Sequence, residues 1–151
     1  MALFAASCES AAVPASMATI LEVNPPANRA ATITQWSIEF SGVSSTDVPV
    51  LVQVVKVTAA SAAGTAVTPA ALRDGEVAVG SAAKKLPASE GTVVVLETHM
   101  VPPSSGLIIQ YPLGREPRIT GAGSSNAGFA IRANRGAGAA INADATIEFE
   151  D

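Results

Sequence analysis

The chain has 151 residues, 48% hydrophobic and 15% charged, with a net charge of −4 and a single cysteine, Cys8. That length suits one domain burying about two thirds of its unfolded surface. The acidic balance argues against nucleic acid as a partner, since no basic field draws in phosphate, and one thiol excludes an intrachain disulfide.

The charged fraction is below the roughly 25% of ordinary soluble domains. Much of the apolar content is Ala and Val, so the core is expected to be built of small and β-branched side chains. Low charge fits either a surface partly covered by partner subunits or a plain Ala bias. Every apolar run is interrupted by Pro, Gly or polar residues before the roughly twenty needed to cross a bilayer, so no membrane partner is expected.

Residues 1–28 are rich in Ala and Ser and end at Asn24-Pro25-Pro26-Ala27-Asn28. The stretch before Met17 shows no clear periodicity and is expected to be an irregular N-terminal arm that orders against a partner. Met1 to Cys8 has the outline of a lipoprotein cleavage box, but it lacks a basic start and its apolar run is too short for a signal peptide. Synthesis and folding in a cytoplasm are therefore expected. Ala18–Val23 is expected as a short edge strand stopped by the Pro pair.

Residues 29–58 hold two strong strand patterns. Thr32–Phe40 puts Thr34, Trp36, Ile38 and Phe40 on one face, and a turn is expected from Ser41 and Gly42 through Asp47. Val48–Thr58 is apolar on both faces, as a central buried strand would be. Residues 59–90 are softer. Thr68-Pro69-Ala-Ala-Leu-Arg73 reads as one helical turn, with Thr68 as its N-cap and Pro69 at the first helical position. Asp74-Gly75 signals a turn and Lys84-Lys85 an exposed stretch.

Strands resume at Thr92–Thr98, Leu107–Tyr111 and Glu116–Thr120. After the Gly-rich linker 121–128, Phe129, Ile131 and Ala133 alternate with Ala130, Arg132 and Asn134. Beyond the turn Arg135–Gly138, Ile141, Ala143, Ala145, Ile147 and Phe149 alternate with Asn142, Asp144, Thr146, Glu148 and Glu150. This period of two is the signature of a strand packed on one side, and the pair is expected to form a terminal β-hairpin. About eight strands with turn-rich connections and no long 3.6-residue pattern predict an all-β fold. It is expected to be a two-sheet antiparallel sandwich over residues 29–151, preceded by the 1–28 arm. A jelly roll is favoured, because an immunoglobulin domain would more often be shorter with a Cys pair around its Trp.

The chemistry is mostly absence, so no catalytic, cofactor-binding or metal residue is assigned and no enzyme is expected. The one histidine, His99, cannot supply the His cluster of a cupin-type metal site. Glu97 and His99 share a strand face, which permits a surface metal contact, although a solvated strand end is the plainer account. Ser-His-Asp catalysis would need the same His99, and no Ser sits in a nucleophile elbow. Cys8 reaches His99 only if a mobile arm folds onto a distant strand. Paired glycosidase carboxylates in an aromatic cleft do not suit a chain with 4% aromatic residues. Gly121-Ala-Gly123 and Gly136-Ala-Gly138 lack a following helix and a Lys-Ser/Thr pair, so they read as turns. Arg115, Arg118, Arg132 and Arg135 face an acidic end at Asp144, Glu148, Glu150 and Asp151. That contrast reads as charge balance across neighbouring strands, or as charges that steer partner contacts.

Two segments carry a family resemblance. Ala31-Thr-Ile-Thr-Gln-Trp-Ser-Ile-Glu-Phe-Ser-Gly-Val43 leads into Val48-Pro-Val-Leu-Val. Gly106-Leu-Ile-Ile-Gln-Tyr-Pro-Leu-Gly-Arg-Glu-Pro117 is followed by the Phe129-Ala-Ile-Arg-Ala strand and the acidic Ile-Glu-Phe-Glu-Asp end. Together, over residues 30–58 and 105–151, they resemble small jelly-roll capsid decoration or stabilising proteins encoded among the head genes of tailed bacteriophages. The resemblance implies a tumour-necrosis-factor-like sandwich, a homotrimer and the major capsid protein as partner. It implies a place on the capsid exterior bridging capsomers, with no cofactor, and it carries over no functional residue. Under it, Met1–Asn28 is expected to engage the shell or a sister subunit, so that deleting residues 1–16 would abolish binding and leave the sandwich folded. A carbohydrate-binding jelly roll is the alternative, for which Trp36 and Tyr111 look better placed as core or edge residues. An enzyme on a β-sandwich ranks third.

Overall fold

The computed structural model describes residues 2–41, 48–59, 61–62, 64–76, 79–87, 89–121 and 127–151. Among these there are twelve strands and no helix. They are β1 (Leu3–Ala12), β2 (Ala18–Asn24), β3 (Ala30–Ser41), β4 (Val50–Val57), β5 (Thr65–Val67) and β6 (Ala70–Ala71). They continue as β7 (Ala82–Lys85), β8 (Val93–Val101), β9 (Leu107–Gln110), β10 (Arg118–Thr120), β11 (Gly128–Asn134) and β12 (Asn142–Glu150). The turn expected from Gly42 to Asp47, and most of the 121–128 linker, lie outside the described residues.

The strands form two six-stranded antiparallel sheets, the sandwich expected from the alternation pattern. Sheet I runs β10-β3-β12-β1-β6, with β9 also on β3; sheet II runs β5-β7-β2-β11-β4-β8. β10 takes residues 30–32 of β3 and β9 takes residues 35–38, so the two short strands lie in line along one edge. Between the sheets lies one apolar core in which Trp36, Phe129, Phe149, Ile33, Ile38, Ile131 and Ile147 are wholly buried. Every second residue of β12 is buried (Ala143, Ala145, Ile147, Phe149) while the polar set between them is half-exposed. β4 is apolar on both faces as expected. Its outward Val55 and Val57 pack with Ala130 and Val93 in a second small cluster.

Several expectations are corrected. β11 and β12 do not form a hairpin: β11 pairs with β2 and β4 in sheet II, whereas β12 lies between β3 and β1 in sheet I. Alternation shows which side of a strand meets the core, and both strands meet the same core from opposite sides. The turn Arg135–Gly138, with Gly136 at φ 56°, carries the chain across the sandwich; a left-handed φ suits Gly.

Residues 1–28 are not an irregular arm. β1 pairs with β12 from Leu3↔Glu150 to Ala12↔Asn142 and buries Phe4, Ala6, Cys8 and Ala11. Its alternation is period two, but Ala and Ser differ too little in hydrophobicity for the pattern to stand out. A bulge between Cys8 and Ala11, with Ser10 at φ 51°, further breaks the count. β2 is likewise interior to sheet II rather than an edge. The expected helical turn at Thr68–Arg73 is replaced by β6, which pairs with Phe4 and Ala5 and covers part of the free edge of β1.

Cys8 is therefore a core side chain, and burial raises its thiol pKa. The native protein is expected to resist a thiol reagent that labels it fully once unfolded. Rapid labelling of the folded protein would contradict this placement of β1.

Candidate functional site

The one His, one Trp and one Tyr of the chain meet at one side of the sandwich. β8 is the outer strand of sheet II, and its Glu97 and His99 pair with Val54 and Val52. Those valines are wholly buried, so Glu97 and His99 point inward, between the sheets. A bulge between Val54 and Val55 lets outward-facing Val95 and inward-facing Glu97 sit in the same strand. On the facing sheet, Trp36 of β3 is opposite Ile109 of β9, and Tyr111 follows β9, its N–H donating to Thr34 O at 2.9 Å.

The side chains form a chain of hydrogen bonds across the gap. Trp36 Nε1 donates to Tyr111 Oη at 3.2 Å, and Tyr111 Oη donates to Glu97 Oε1 at 2.6 Å. The other carboxylate oxygen, Oε2, lies 3.1 Å from His99 Nε2. The Trp36 and His99 ring centroids are 5.7 Å apart at 48°. Both Glu97 oxygens are engaged, so the network closes the edge of the sandwich with satisfied polar groups.

Burial, followed by the hydrogen bond and the charge of Glu97, raises the Tyr111 pKa. The folded state thus holds the neutral phenol. Its stabilising contribution is complete below about pH 10, where an unfolded tyrosine titrates, and is lost as pH rises through the higher folded value. Near-ultraviolet absorbance should show no phenolate in the folded protein above about pH 10, and Tyr111→Phe should remove this part of the alkaline loss of stability. Normal titration of Tyr111 in the folded protein would contradict the network.

Of the residues singled out in the sequence, Glu97 and His99 do come together, and Tyr111 and Trp36 complete the group. The uniqueness of the three ring side chains was the available signal; nothing local showed that β8 and β9 border the same side. Trp36 is wholly buried and Tyr111 is tied to Glu97, so neither ring is presented for stacking on a sugar. Cys8 does not join them, because β1 and β8 lie toward opposite sides of the sandwich. Among the described residues, no group of three or more His, Cys, Asp or Glu is arranged to hold a metal ion.

Among the described residues, no ion pair joins these arginines to the acidic end. Arg132 binds Glu90 through two contacts, 2.8 Å from Nε and 2.5 Å from Nη2. Arg135 donates to the carbonyls of Val13 and Gly138. Among the acids, Asp144 accepts from Ser10 N at 2.7 Å, Glu148 from Gln35 at 3.3 Å, and Asp151 from Gly80 N and Ser81 N. Glu9, Glu39 and Asp144, with Ser7, Ser37 and Thr146, line an open groove of about 490 Å³ on the outer face of sheet I.

A second polar group had no sequence signal. Glu22 on the outward face of β2 is wholly buried. It accepts from Ser61 Oγ at 2.6 Å and Asn24 Nδ2 at 2.7 Å, with Lys84 Nζ 3.7 Å away. Beside it, Glu90 also accepts from Thr19 Oγ1 at 2.8 Å. Ser61 and Glu90 belong to the segments flanking β5–β7, which these bonds pin over sheet II.

Comparison with protein-family models, curated proteins and solved structures finds no match for this chain. The class defined by its own geometry is a two-sheet antiparallel β-sandwich with a polar network closing one edge.

Proposed function

We propose that this chain is a structural virion protein that binds the outer surface of a tailed-phage capsid and stabilises it. In this role it is made in the host cytoplasm, assembles as a homotrimer and bridges neighbouring copies of the major capsid protein. The observation that carries the proposal is where the resembling segments fall. Residues 30–58 and 105–151 include β3, β4, β11 and β12, the strands at the middle of the two sheets, so the likeness lies in the framework.

The strand order also supports the finer fold. β1-β12-β3-β9 opposes β2-β11-β4-β8, and the chain alternates between sheets from β1 to β4. That order supports reading the eight principal strands as two Greek keys, a jelly roll. A two-sheet sandwich closed around one apolar core suits a protein that works by covering and bridging. β1 is built into sheet I, so the shell contact is assigned to the sandwich surface and not to a free arm.

The test is co-sedimentation of the purified chain with shells assembled from a major capsid protein encoded by the same genome. Saturable pelleting, with a rise in the melting temperature of the shell, is expected. Absence of pelleting at micromolar concentration would overturn the proposal.

A further inference from the structure

We infer that Lys84 and Asn24 join through their side chains in an intramolecular amide bond, with Glu22 as the catalytic carboxylate. β7 lies antiparallel to β2, with Lys84 opposite Glu22 and Ala82 opposite Asn24. Lys84 and Asn24 are therefore diagonal neighbours on one face of the pair, about 7–8 Å apart, a gap that a long side chain spans. Both side-chain nitrogens meet the same atom. Asn24 Nδ2 donates to Glu22 Oε1 at 2.7 Å, and Lys84 Nζ lies 3.7 Å from that oxygen. Ser61 Oγ donates to the other oxygen at 2.6 Å, which leaves Oε1 to the amine and the carboxamide.

Amine, carboxamide and buried carboxylate are the three groups that amide exchange requires: a nucleophile, an electrophile with a leaving group, and an acid–base. Glu22 is wholly buried and the Lys84 side chain is 20% exposed, so water, the competing nucleophile, is largely excluded. Lys84 Nζ is held by Ser61 O at 3.2 Å, and the Asn24 amide by Ala127 O at 3.1 Å. A Cβ on Gly128 would lie 2.5 Å from Asn24 Nδ2 and 3.3 Å from Glu22 Oε1, so the glycine leaves the carboxamide its room beside the acid.

The reaction balances without a further reactant. Nζ passes one proton to Glu22 Oε1, which removes two charges that are costly away from water. Its lone pair attacks Asn24 Cγ and forms the new N–C bond. As the Cγ–Nδ2 bond breaks, Glu22 delivers that proton to Nδ2, which leaves as ammonia, and takes a second proton from Nζ. The products are a secondary amide, ammonia and a neutral Glu22; nothing is oxidised or reduced. Holding the three groups in one site makes the reaction effectively unimolecular. The Glu22–Lys84 ion pair is the state before the bond forms. The bond fastens β7, and β5 paired with it, to β2, and it stands independently of the capsid role.

The experiment is intact mass and a tryptic map of the folded, purified chain after prolonged incubation. The chain should be lighter than its sequence by one ammonia. Trypsin should fail to cut after the acylated Lys84, so residues 1–29 should appear joined to residues 74–85. Lys84→Arg and Glu22→Gln, purified in parallel, should keep their full masses. Lys85→Arg should still lose ammonia, because Lys85 Nζ donates instead to Glu9 O. A chain at full mass whose Lys84 is cut normally overturns the inference and leaves the group a structural ion pair. An ammonia loss that survives Lys84→Arg overturns it too, and one that survives in folded Glu22→Gln overturns the role of Glu22. Should either variant fail to fold, the joined or separate peptides of the unaltered chain decide the bond.

Discussion

A chain lacking residues 1–12 is expected not to fold, and Phe4→Ala alone is expected to lower stability by about 3–5 kcal/mol. β1 lies between β12 and β6 in sheet I, and its removal would strip the backbone partners from one whole side of β12. It would also expose the core at Ala143, Ala145, Ile147 and Phe149, which are buried. Phe4 contributes most of the apolar surface of β1. It is 3% exposed and its ring centroid lies 5.9 Å from that of Phe149, so truncation leaves a cavity between two large side chains. A domain of this size has roughly 5–15 kcal/mol of stability, which makes the point substitution a large fraction of the whole. Denaturant midpoints check the point variant, and circular dichroism with soluble yield checks the deletion. A truncated chain that melts cooperatively would return β1 to the status of an arm.

Lys84→Ala is expected to cost about 3 kcal/mol, because it leaves the wholly buried Glu22 carboxylate without its cation. Ser61 and Asn24 would still donate to Glu22, but neither carries charge. Lys84 Nζ also donates to Ser61 O at 3.2 Å, so the same substitution loosens the segment that Ser61 anchors. A second route to the cluster is Gly128→Ala. A Cβ there would lie 2.5 Å from Asn24 Nδ2 and 2.9 Å from Val23 O, and a backbone oxygen in a central strand cannot move aside. A loss of about 1–3 kcal/mol from overpacking is expected. Equilibrium unfolding of each variant checks both figures. An unchanged midpoint for Lys84→Ala would show that Ser61 and Asn24 suffice to hold the charge.

Legibility differed sharply between elements. β3, β4, β11 and β12 could be read from the chain because large Ile, Val, Phe and Trp side chains alternate with Thr, Glu, Asn and Arg. That contrast survives whichever strand pairs with it. β1 has the same period written in Ala, Ser and Cys, a contrast too faint to separate from low complexity. β6 exists because β1 needs a neighbour, so no local pattern announced it, and Thr68-Pro69 gave a sound helix start that the tertiary structure overrode. The site was half visible. Glu97 and His99 share a face by spacing alone, while their bonds to Tyr111 and Trp36 join strands from different sheets.

The sequence by itself determined that this protein is an all-β sandwich, which residues of its main strands meet the core, and that its one thiol forms no internal disulfide. These follow from period, composition and count, each a local property. Only the tertiary structure decided that β11 and β12 part to opposite sheets, that the first twelve residues complete sheet I, that Glu22 is buried with a lysine, and that the unique His, Tyr and Trp share one edge. Those outcomes depend on which strand lies beside which. Partner choice is set by closing one core with the buried backbone groups paired, a condition on the whole chain that no single segment records.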